Sequence, residues 1–532
     1  MLTVYGVIAA LHDPRGSLGT DTGGKLATVE MMRDRGTLDP DIGYWAQRQD
    51  PEGDLHPLYY TSKIDDRWVN VTTLPMVVAA QPLAEIGGLR AAMLLPMLGG
   101  LLCAFAASAL AVRLDERARW HVFWIIGLAT PVAVYATDFW EHSLGLGLLL
   151  AGSVACFDVA LRRKGWWTAA GAGMCFGAAA TMRTEALVYV TVSLFVVCAV
   201  VFVEQRGWRP AAIAGAGIMS GVVATLVGNV LLEQAILGRG LRTARAAGTA
   251  AAAGSTIAIR VKEALIYTFG FNSFRIDVDV MAGIVAAACV VAGAMLIMRR
   301  SITARFSGYM AFFVAGVLYL ERFAQGLGFL PGLLIASPFA AVGIALGWGS
   351  RPQRFVLALA LLPLPLVWAS QYSGGAHPQW GARYELLSGA LLAVVGIVVL
   401  RRDARALVGV ITLAAVVTGF GLVFSVERSH DVARAMEVVV RSGAPVISRE
   451  DHVLREGGAF YTPTAHWLTA ENASELRRAV SIVATTGAPK FEVLQFHGRA
   501  KTPAFDGYRA TEMSSVEFVP GVLLDVITYA HS

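Results

Sequence analysis

Long apolar runs recur through most of the chain and limit what it can fold into. We expect membrane spans at about 89–113, 120–137, 143–161, 167–182, 186–203, 211–232, 279–298, 305–321, 328–348, 354–370, 384–400 and 406–424. Several of these runs reach the roughly 20 residues that an α-helix needs to cross a bilayer. Only 16% of the residues are charged, whereas a soluble domain carries about a quarter. The sequence therefore predicts an α-helical polytopic membrane protein with about 11 to 13 transmembrane helices.

The linkers between the spans form two alternating sets, and one set is rich in arginine and lysine. That set holds Arg113, Arg117, Arg119, Arg162, Arg163, Lys164, Arg206, Arg209, Arg299, Arg300, Arg305, Arg351, Arg354, Arg401, Arg402 and Arg405. Because basic loops tend to remain in the cytoplasm, these linkers are predicted to face inside. The polar segment 13–68 and the region after residue 424 are then both predicted to face outside, towards the periplasm or the extracellular space.

Two segments do not follow this pattern. The segment 233–262 carries Arg239, Arg242, Arg245 and Arg260 on the predicted outer side. Either these arginines bind an anionic ligand or the segment is a helix pair that re-enters the membrane, and both interpretations stay open here. Residues 1–12 are apolar but too short to span a bilayer. We expect a truncated first helix there, in preference to a segment that only dips into the membrane.

The composition changes at about residue 425. Charges become more frequent, Ala444–Ser448 and Phe491–Phe496 alternate like strands, and Ser474–Ala484 has the pattern of an amphipathic helix. We expect a small extracytoplasmic α/β domain over 425–532 after a transmembrane catalytic domain over 1–424, in which 13–88 form the first outer loop and interfacial helices. All five cysteines lie inside apolar spans, which indicates neither a disulfide framework nor a cysteine metal site.

Ionisable residues at the predicted outer ends of the spans are the main functional signal, because such residues usually mark a site in a membrane protein. They are Asp21 and Lys25 at a glycine-loosened turn of the first outer loop, Asp138, Glu141 and His142 in a second outer turn, Arg183 and Glu185 in a third, and Arg322 and Arg383 at later span ends. Structural alternatives stay open: Arg183 and Glu185 can form a simple ion pair, Glu141 with His142 can cap a helix, and Arg383 can snorkel to the lipid headgroups. Their placement on one predicted side favours a shared outward-facing cavity.

These side chains together fit one kind of chemistry. Arginine binds phosphate through a planar fork and does not lose its proton. The aromatic residues of the first outer loop, Tyr59 and Tyr60 among them, offer apolar faces against which a sugar can lie. A carboxylate can take the proton of an attacking hydroxyl group. The combination describes glycosyl transfer from a sugar phosphate, in which arginines stabilise the departing phosphate.

On these residues the sequence resembles the GT-C class of polytopic glycosyltransferases, and within that class the bacterial enzymes related to protein mannosyltransferases and lipid-modifying glycosyltransferases. The resemblance covers roughly residues 13–400. Its motifs are Gly19–Lys25, Asp138–His142, Arg183–Ala186, Gly332–Pro338 and Gln379–Arg383. It implies an inverting enzyme that takes a sugar from a polyprenyl phosphate at the outer face of the membrane.

The resemblance also implies roles for individual residues. Asp21 corresponds to the general base, and Asp138 or Glu141 to a second acid that assists it or binds a divalent cation. Arg183, Arg322 and Arg383 correspond to the arginines that hold the lipid phosphate. His142, Glu185, Tyr59 and Tyr60 are expected to contact the substrate.

The first outer loop departs from the family pattern in one respect that concerns the base. Better-known members carry two adjacent acids where this chain has Asp21 alone, and the pair Asp65–Asp66 later in the loop is a rival candidate. The alternative for that pair is a solvated turn beside Arg67. Lys25 lies one helical turn after Asp21 if a helix begins there, so it can keep the carboxylate ionised or contact the donor phosphate.

The leading hypothesis is a hexosyl- or pentosyltransferase of the cell membrane. It moves a sugar from a polyprenyl-phosphate donor to an extracytoplasmic glycan, lipid or protein, and it has no nucleic-acid partner. A transporter or flippase for lipid-linked sugars is the second hypothesis, and an oligosaccharide ligase or polymerase is the third. A transporter is disfavoured because the charges lie at span ends and no clear internal repeat is visible.

Overall fold

The computed structural model describes residues 1–17, 19–70, 74–239, 257–272, 280–324, 330–370, 380–499 and 504–532. Arg242, Arg245 and Gln379 lie outside the described residues. The chain divides into two compact units. We call the first the membrane unit, which comprises Met1–Gly6, Leu95–Leu232 and Ala246–Val423, and the second the polar unit, which comprises Val7–Leu94, Glu233–Arg245 and Phe424–Ser532.

Long apolar helices build the membrane unit. Within the described part of the chain, nine helices are long and apolar enough to cross a membrane: Leu94–Leu114, His142–Arg162, Ala186–Gln205, Trp208–Leu237, Val280–Ile297, Ile302–Ala324, Arg351–Ser370, Arg383–Leu400 and Ala404–Arg441. A helix satisfies all of its backbone hydrogen bonds internally, which is what a lipid environment requires. The predicted polytopic helical fold is confirmed.

Three further predicted spans correspond to shorter helices. The span at 167–182 is the 17-residue helix Trp166–Met182. The span at 120–137 is broken into Arg119–Leu128 and Pro131–Ala136, because the side chain of Thr130 caps a new helix that starts at Pro131. The span at 328–348 is broken into Leu333–Ala336 and Pro338–Leu346, and the second of these helices also starts at a proline. Proline lacks the N–H that would continue the preceding helix.

Ion pairs join several of the basic linkers at one end of the membrane unit. The pairs are Arg113–Asp158 and Arg401–Asp115, each at 2.5 Å, and Arg351–Glu204. These contacts bring together linkers that the sequence assigns to one side of the membrane. Since each span runs from one side to the other, the turns that carry Glu141, Arg183 and Arg383 lie at the opposite end.

Exposed tryptophans lie next to the same basic linkers. They are Trp120, Trp124, Trp166, Trp167, Trp208 and Trp348. The guanidinium of Arg119 lies 4.8 Å from the ring centroid of Trp120. Tryptophan concentrates at the boundary between lipid and water. The basic end of the membrane unit therefore has the surface that a helical body presents at a membrane interface.

The polar unit contains a five-stranded mixed sheet. Its strands are β5 (Val446–Ser448), β6 (Trp467–Thr469), β7 (Lys490–Phe496), β8 (Tyr508–Val519) and β9 (Val522–His531), in the order β6-β5-β7-β9-β8. Strand β5 is parallel to both of its neighbours, and β9 is antiparallel to β7 and β8. The predicted amphipathic helix is Ala473–Ala484, which starts with a capping box formed by Asn472 and Glu475. The predicted α/β character of the C-terminal region is confirmed.

The remaining elements are short or lie before the first long span. In the polar unit they are the helices Leu2–Leu11, Thr20–Arg35, Leu74–Ala92 and Val453–Glu456, the first of which begins in the membrane unit, and the hairpin of β1 (Thr61–Ile64) and β2 (Arg67–Asn70). The membrane unit adds the helix Ile257–Phe269 and a two-stranded sheet of β3 (Phe271–Asn272) and β4 (Leu330–Pro331).

The segment 13–68, which is predicted to be the first outer loop, and the C-terminal region share one hydrophobic core. Loop residues Ile42, Leu58 and Trp68 belong to the same buried cluster as strand residues Val446 and Phe491. Hydrogen bonds also join these two segments. Trp45 Nε1 donates to the carbonyl of Trp467, and the amide of Thr469 donates to the carbonyl of Leu55, both at 2.9 Å. Residues far apart in the sequence therefore fold together in the polar unit.

Candidate active site

Three turns at the end of the membrane unit away from the basic linkers bring charged side chains together. Glu141 directly precedes the helix His142–Arg162, Arg183 and Glu185 form the turn between two helices, and Arg383 opens the turn before Leu386–Leu400. We call Glu141, His142, Arg183, Glu185, Arg383 and Tyr384 the arginine cluster. Short turns between antiparallel helices place residues from distant parts of the chain at one level.

Arg183 is the centre of the arginine cluster. Its Nε donates to Glu185 Oε1 at 2.7 Å, and its Nη1 donates to Glu141 Oε1 at 3.3 Å. Burial alone would lower the pKa of Arg183, but the two carboxylates outweigh burial and raise its pKa. The guanidinium therefore remains charged although only 8% of the residue is exposed. A buried arginine keeps its charge when carboxylates accept its hydrogen bonds.

Aromatic side chains frame the cluster. Arg383 lies 4.7 Å from the ring of Tyr384 and 5.9 Å from that of Trp140, and its Nη2 donates to the Tyr384 hydroxyl at 2.7 Å. The ring of His142 stacks on Tyr135 with a centroid distance of 4.8 Å and an interplanar angle of 11°. Guanidinium groups bind favourably over aromatic faces. The guanidinium of Arg183 also lies 5.5 Å from the ring of Tyr384, so aromatic rings contact both arginines.

A small recess opens among these side chains. Its polar lining comes from His142, Arg183, Glu185, Tyr189, Arg383 and Tyr384, and its apolar lining from Leu146, Leu149, Leu386 and Leu387. Among the described residues, neither Arg183 Nη2 nor Glu185 Oε2, both buried in the lining, has a hydrogen-bond partner. Such atoms are rare in folded proteins unless a ligand or water satisfies them. The recess thus offers both a charged donor and a charged acceptor to a ligand.

Two predicted site residues of the membrane unit lie at its margin. Asp138 is buried in the turn that leads to Glu141. Arg322 is in the last turn of the helix Ile302–Ala324, and its guanidinium lies 6.0 Å from the ring of Phe271. Neither residue lines the recess. Their predicted roles in catalysis and in phosphate binding stay predictions.

Asp21 lies in a second cluster, within the polar unit. Its Oδ1 accepts a hydrogen bond from Arg455 Nη1 at 3.2 Å, and Arg455 Nη2 donates to Asn70 Oδ1 at 3.3 Å. The guanidinium also lies 4.5 Å from the ring of Tyr59 and 5.2 Å from that of Tyr60. We call these five residues the Asp21 cluster. The side chain of Asp21 is 29% exposed and that of Arg455 is 1% exposed, so the acid faces the surroundings while its partner is buried.

The glycines next to Asp21 are in a helix, so the predicted glycine-loosened turn is wrong. The helix Thr20–Arg35 begins before them and has Asp21 in its first turn. The physical reason for glycine is close packing. A Cβ atom at Gly23 would lie 1.9 Å from the carbonyl oxygen of Arg455, and one at Gly24 would lie 2.8 Å from Asn70 Oδ1. The two glycines let the helix approach the residues that hold Asp21.

The other predicted residues of the first loop have distinct surroundings. Lys25 is one turn after Asp21 on the same helix, as expected for residues four apart, and it is buried. Asp65 and Asp66 form the exposed two-residue turn of the β1–β2 hairpin, where Asp65 has a φ of 54°. This position agrees with a solvated turn beside Arg67, which opens β2.

Sequence reasoning missed Arg455, Asn70 and Tyr384. Arg455 belongs to a region whose charge content is that of an ordinary soluble domain, so its residue type carried no signal. Tyr384 directly follows the predicted Arg383, so the position of that arginine at a span end could also have indicated Tyr384. Among the described residues, no three histidine, cysteine, aspartate or glutamate side chains come together as metal ligands. The divalent cation implied by the family resemblance stays a prediction.

Comparison with known proteins gave matches among solved structures. No protein-family model matches the chain, and no curated protein sequence matches it. Crystal structures of ArnT from Cupriavidus metallidurans are similar to it, in the apo state with 14% identity and a TM-score of 0.39, and bound to undecaprenyl phosphate with 13% identity and a TM-score of 0.40. Each alignment covers 98% of this chain and 96% of the ArnT chain.

Proposed function

We propose that the chain is an inverting membrane glycosyltransferase that moves a hexose or pentose from a polyprenyl phosphate to a hydroxyl group of an extracytoplasmic acceptor. The observation that carries the proposal is the recess of the arginine cluster. It lies at the end of a membrane-spanning body, and it is lined by two arginines, two aromatic hydroxyls and a carboxylate. A lipid-linked sugar phosphate presents an anion and several hydroxyl groups at that depth.

The arginines supply the binding site for the donor phosphate in this proposal. Arg183 Nη2 has no hydrogen-bond partner within the described part of the chain, and Arg383 is held against Tyr384 and Trp140. A phosphate that accepts hydrogen bonds from fixed guanidinium groups gains further stabilisation as negative charge builds up on the leaving group. No described residue donates a hydrogen bond to Glu185 Oε2, and this oxygen is suited to accept one from a sugar hydroxyl.

Asp21 is the general base in this proposal. The acceptor hydroxyl oxygen attacks the anomeric carbon of the donor, and its proton passes to the Asp21 carboxylate. The bond between the anomeric carbon and the phosphate oxygen breaks on the opposite face, and polyprenyl phosphate leaves as an anion. The configuration at the anomeric carbon is inverted. The exposed fraction of Asp21 and its hydrogen bond to Arg455 support this role, because a base must be ionised and accessible.

The test compares Asp21→Asn with the double variant Asp65→Asn/Asp66→Asn. Both are reconstituted in liposomes with a radiolabelled polyprenyl-phosphate sugar and an envelope lipid extract as acceptor. We expect Asp21→Asn to lower transfer by about 100-fold or more, the usual contribution of a positioned base. The hairpin variant should retain transfer, because its side chains lie in an exposed turn.

Donor binding is the control for folding. Asp21→Asn should still bind the polyprenyl-phosphate sugar with wild-type affinity, since its phosphate site is assigned to the membrane unit. Full transfer activity of Asp21→Asn would overturn the assignment of the base. Movement of the labelled lipid across the bilayer without formation of a glycosidic bond would instead identify a transporter.

A further inference from the structure

We infer that Arg455 is a positioning residue for Asp21, so that the C-terminal region completes the catalytic base. This inference rests on the proposed role of Asp21. The C-terminal region contributes the short helix Val453–Glu456, and Arg455 on that helix donates a hydrogen bond to the Asp21 carboxylate.

The surroundings of Arg455 fix its guanidinium group in one place. Nη1 donates to Asp21 and Nη2 to Asn70, at 3.2 and 3.3 Å. Asn70 is itself held by its Nδ2, which donates to the carbonyl of Tyr59 and to Thr61 Oγ1. The faces of Tyr59 and Tyr60 lie within 5.2 Å of the guanidinium carbon. An arginine held by two side-chain acceptors and two rings can orient a carboxylate.

The backbone around Arg455 is fitted to the helix that carries Asp21. A Cβ atom at Gly458 would lie 2.2 Å from the carbonyl oxygen of Gly23, so both segments need glycine at their contact. Glu456, which follows Arg455 in the sequence, is held by an ion pair with Arg428 at 2.7 Å, and both residues are buried. Arg428 Nε also donates to the carbonyl of Ser17, just ahead of the Asp21 helix. The position of Arg455 relative to Asp21 is thus set by several independent contacts.

A nearby cation stabilises the ionised carboxylate, so it lowers the pH at which a base becomes protonated. The charged partner that the structure gives for Asp21 is Arg455 from the C-terminal region. Lys25 follows Asp21 by four residues on the same helix, and the rings of Tyr59 and Tyr60 pack against the Arg455 guanidinium. Glu456 directs its carboxylate to Arg428. Loss of the Arg455 charge should therefore move the acidic limb of the activity profile to higher pH.

The experiment measures transfer against pH for Arg455→Met, Arg455→Lys and Arg478→Met in the full-length protein. We expect Arg455→Met to lower kcat by at least 10-fold and to move the acidic limb up by about one pH unit, with KM for the donor unchanged. Arg455→Lys keeps the charge without the second hydrogen bond to Asn70. It should retain the wild-type acidic limb and recover part of kcat.

Arg478→Met is the matched control. Arg478 joins the C-terminal helix Ala473–Ala484 to the first loop through Asp50 and Asp54, at 2.6 and 3.0 Å, but it does not contact Asp21. Loss of the Arg478 side chain should leave the acidic limb of the pH–activity profile at the wild-type pH. A wild-type pH profile in Arg455→Met, together with an inactive Asp21→Asn, would overturn this inference alone. An active Asp21→Asn would overturn the assignment of the base itself. If Arg455→Met does not fold, an unchanged kcat in Arg455→Lys still contradicts a positioning role, because the lysine should recover kcat only in part.

Discussion

His56 is a buried histidine of the polar unit that lies among aromatic side chains. Its ring is stacked on Trp68 at 5.4 Å and lies 4.8 Å from the ring of Tyr44. Its Nδ1 accepts a hydrogen bond from the amide of Leu58 at 3.1 Å. Burial lowers the pKa of His56 to about 3. The folded protein therefore keeps this imidazole neutral at a pH where an unfolded chain would protonate it.

His56 should make the stability of the polar unit depend on pH. Below the ordinary histidine pKa of about 6.5 the unfolded chain binds a proton that the folded chain excludes. Stability is fully present above that pH and is lost as the pH falls towards the folded-state value of about 3. We expect a loss of up to about 1.4 kcal/mol for each pH unit below 6. The loss of stability is measured by thermal unfolding of the detergent-solubilised protein between pH 7 and 4.5, followed by tryptophan fluorescence.

Two substitutions separate His56 from the other histidines. His56→Phe keeps an aromatic ring on Trp68 and removes the titrating group, so the pH dependence should become flatter. His497→Phe removes a histidine whose side chain is 60% exposed, and the dependence should remain as in the wild type. An equally steep dependence in His56→Phe would show that other groups cause the acid sensitivity.

At the scale of single residues, the sequence predicts a site where a residue type is unusual for its surroundings. Arg183 and Glu185 were predicted because charges are rare at the ends of apolar spans, and both line one recess in the structure. Arg455 was not found because arginine is common in a polar region. Its importance comes from burial and from the carboxylate it contacts, and neither quantity is written in the local sequence.

The helix Thr20–Arg35 shows how an element can be shaped by its neighbour. Two adjacent glycines in a helix cost about 1 kcal/mol each relative to alanine. Their presence is explained by the carbonyl oxygen of Arg455, which would lie 1.9 Å from a Cβ atom at position 23. The glycines lower the helix propensity of this segment, but they let the helix approach the C-terminal region closely.

Gly23→Ala should destabilise the protein although alanine favours a helix. The added methyl group must push the helix away from backbone atoms, which cannot move as a flexible side chain can. We expect a lower melting temperature and a loss of transfer activity, because the same shift separates Asp21 from Arg455. Gly171→Ala is the control, since nothing lies within 4 Å of a Cβ atom there. A melting temperature of Gly23→Ala at or above that of the wild type would contradict this account of the glycines.

Elements were predicted well where their period or composition is distinctive. Apolar length identified the spans, and alternation identified β5 and β7. The breaks at Pro131 and Pro338 were missed, although proline at the start of a helix is a local signal. The long hairpin of β8 and β9 was also missed, and its turn contains Gly521 with a φ of 78°. The order of the strands in the sheet depends on contacts between distant segments, which periodicity does not encode.

The polar unit is assembled from distant segments of the chain, and the sequence does not show which segments these are. Residues 7–94 and 424–532 belong to one unit although more than 300 residues separate them. The hydrophobic residues of each segment have periodic patterns, but a pattern shows which face is buried and not what covers it. Ile42 and Phe491 contribute to the same core, and only the folded structure identifies that partnership.

The orientation of the whole molecule in the membrane can be tested by cysteine labelling. In a variant without the five native cysteines, single cysteines are placed at Ser301 and Ala404 in basic linkers, and at Asp65 and Ser514 in the polar unit. All four positions are exposed. Because basic linkers tend to remain in the cytoplasm, we expect a membrane-impermeant maleimide to label Asp65→Cys and Ser514→Cys on intact cells. Ser301→Cys and Ala404→Cys should react only after permeabilisation.

The labelling pattern tests the proposed reaction as well as the membrane topology. Polyprenyl-phosphate sugars that serve extracytoplasmic acceptors are used at the outer face, so the proposed reaction requires Asp21 and its unit to be outside. Labelling of Ser301→Cys on intact cells, with protection of Asp65→Cys, would place the base in the cytoplasm and contradict the proposed donor and acceptor together. The four cysteines sample both units, so a mixed pattern from one unit would reveal a misfolded variant. Agreement of Asp65→Cys with Ser514→Cys is required in every outcome, because both belong to the polar unit.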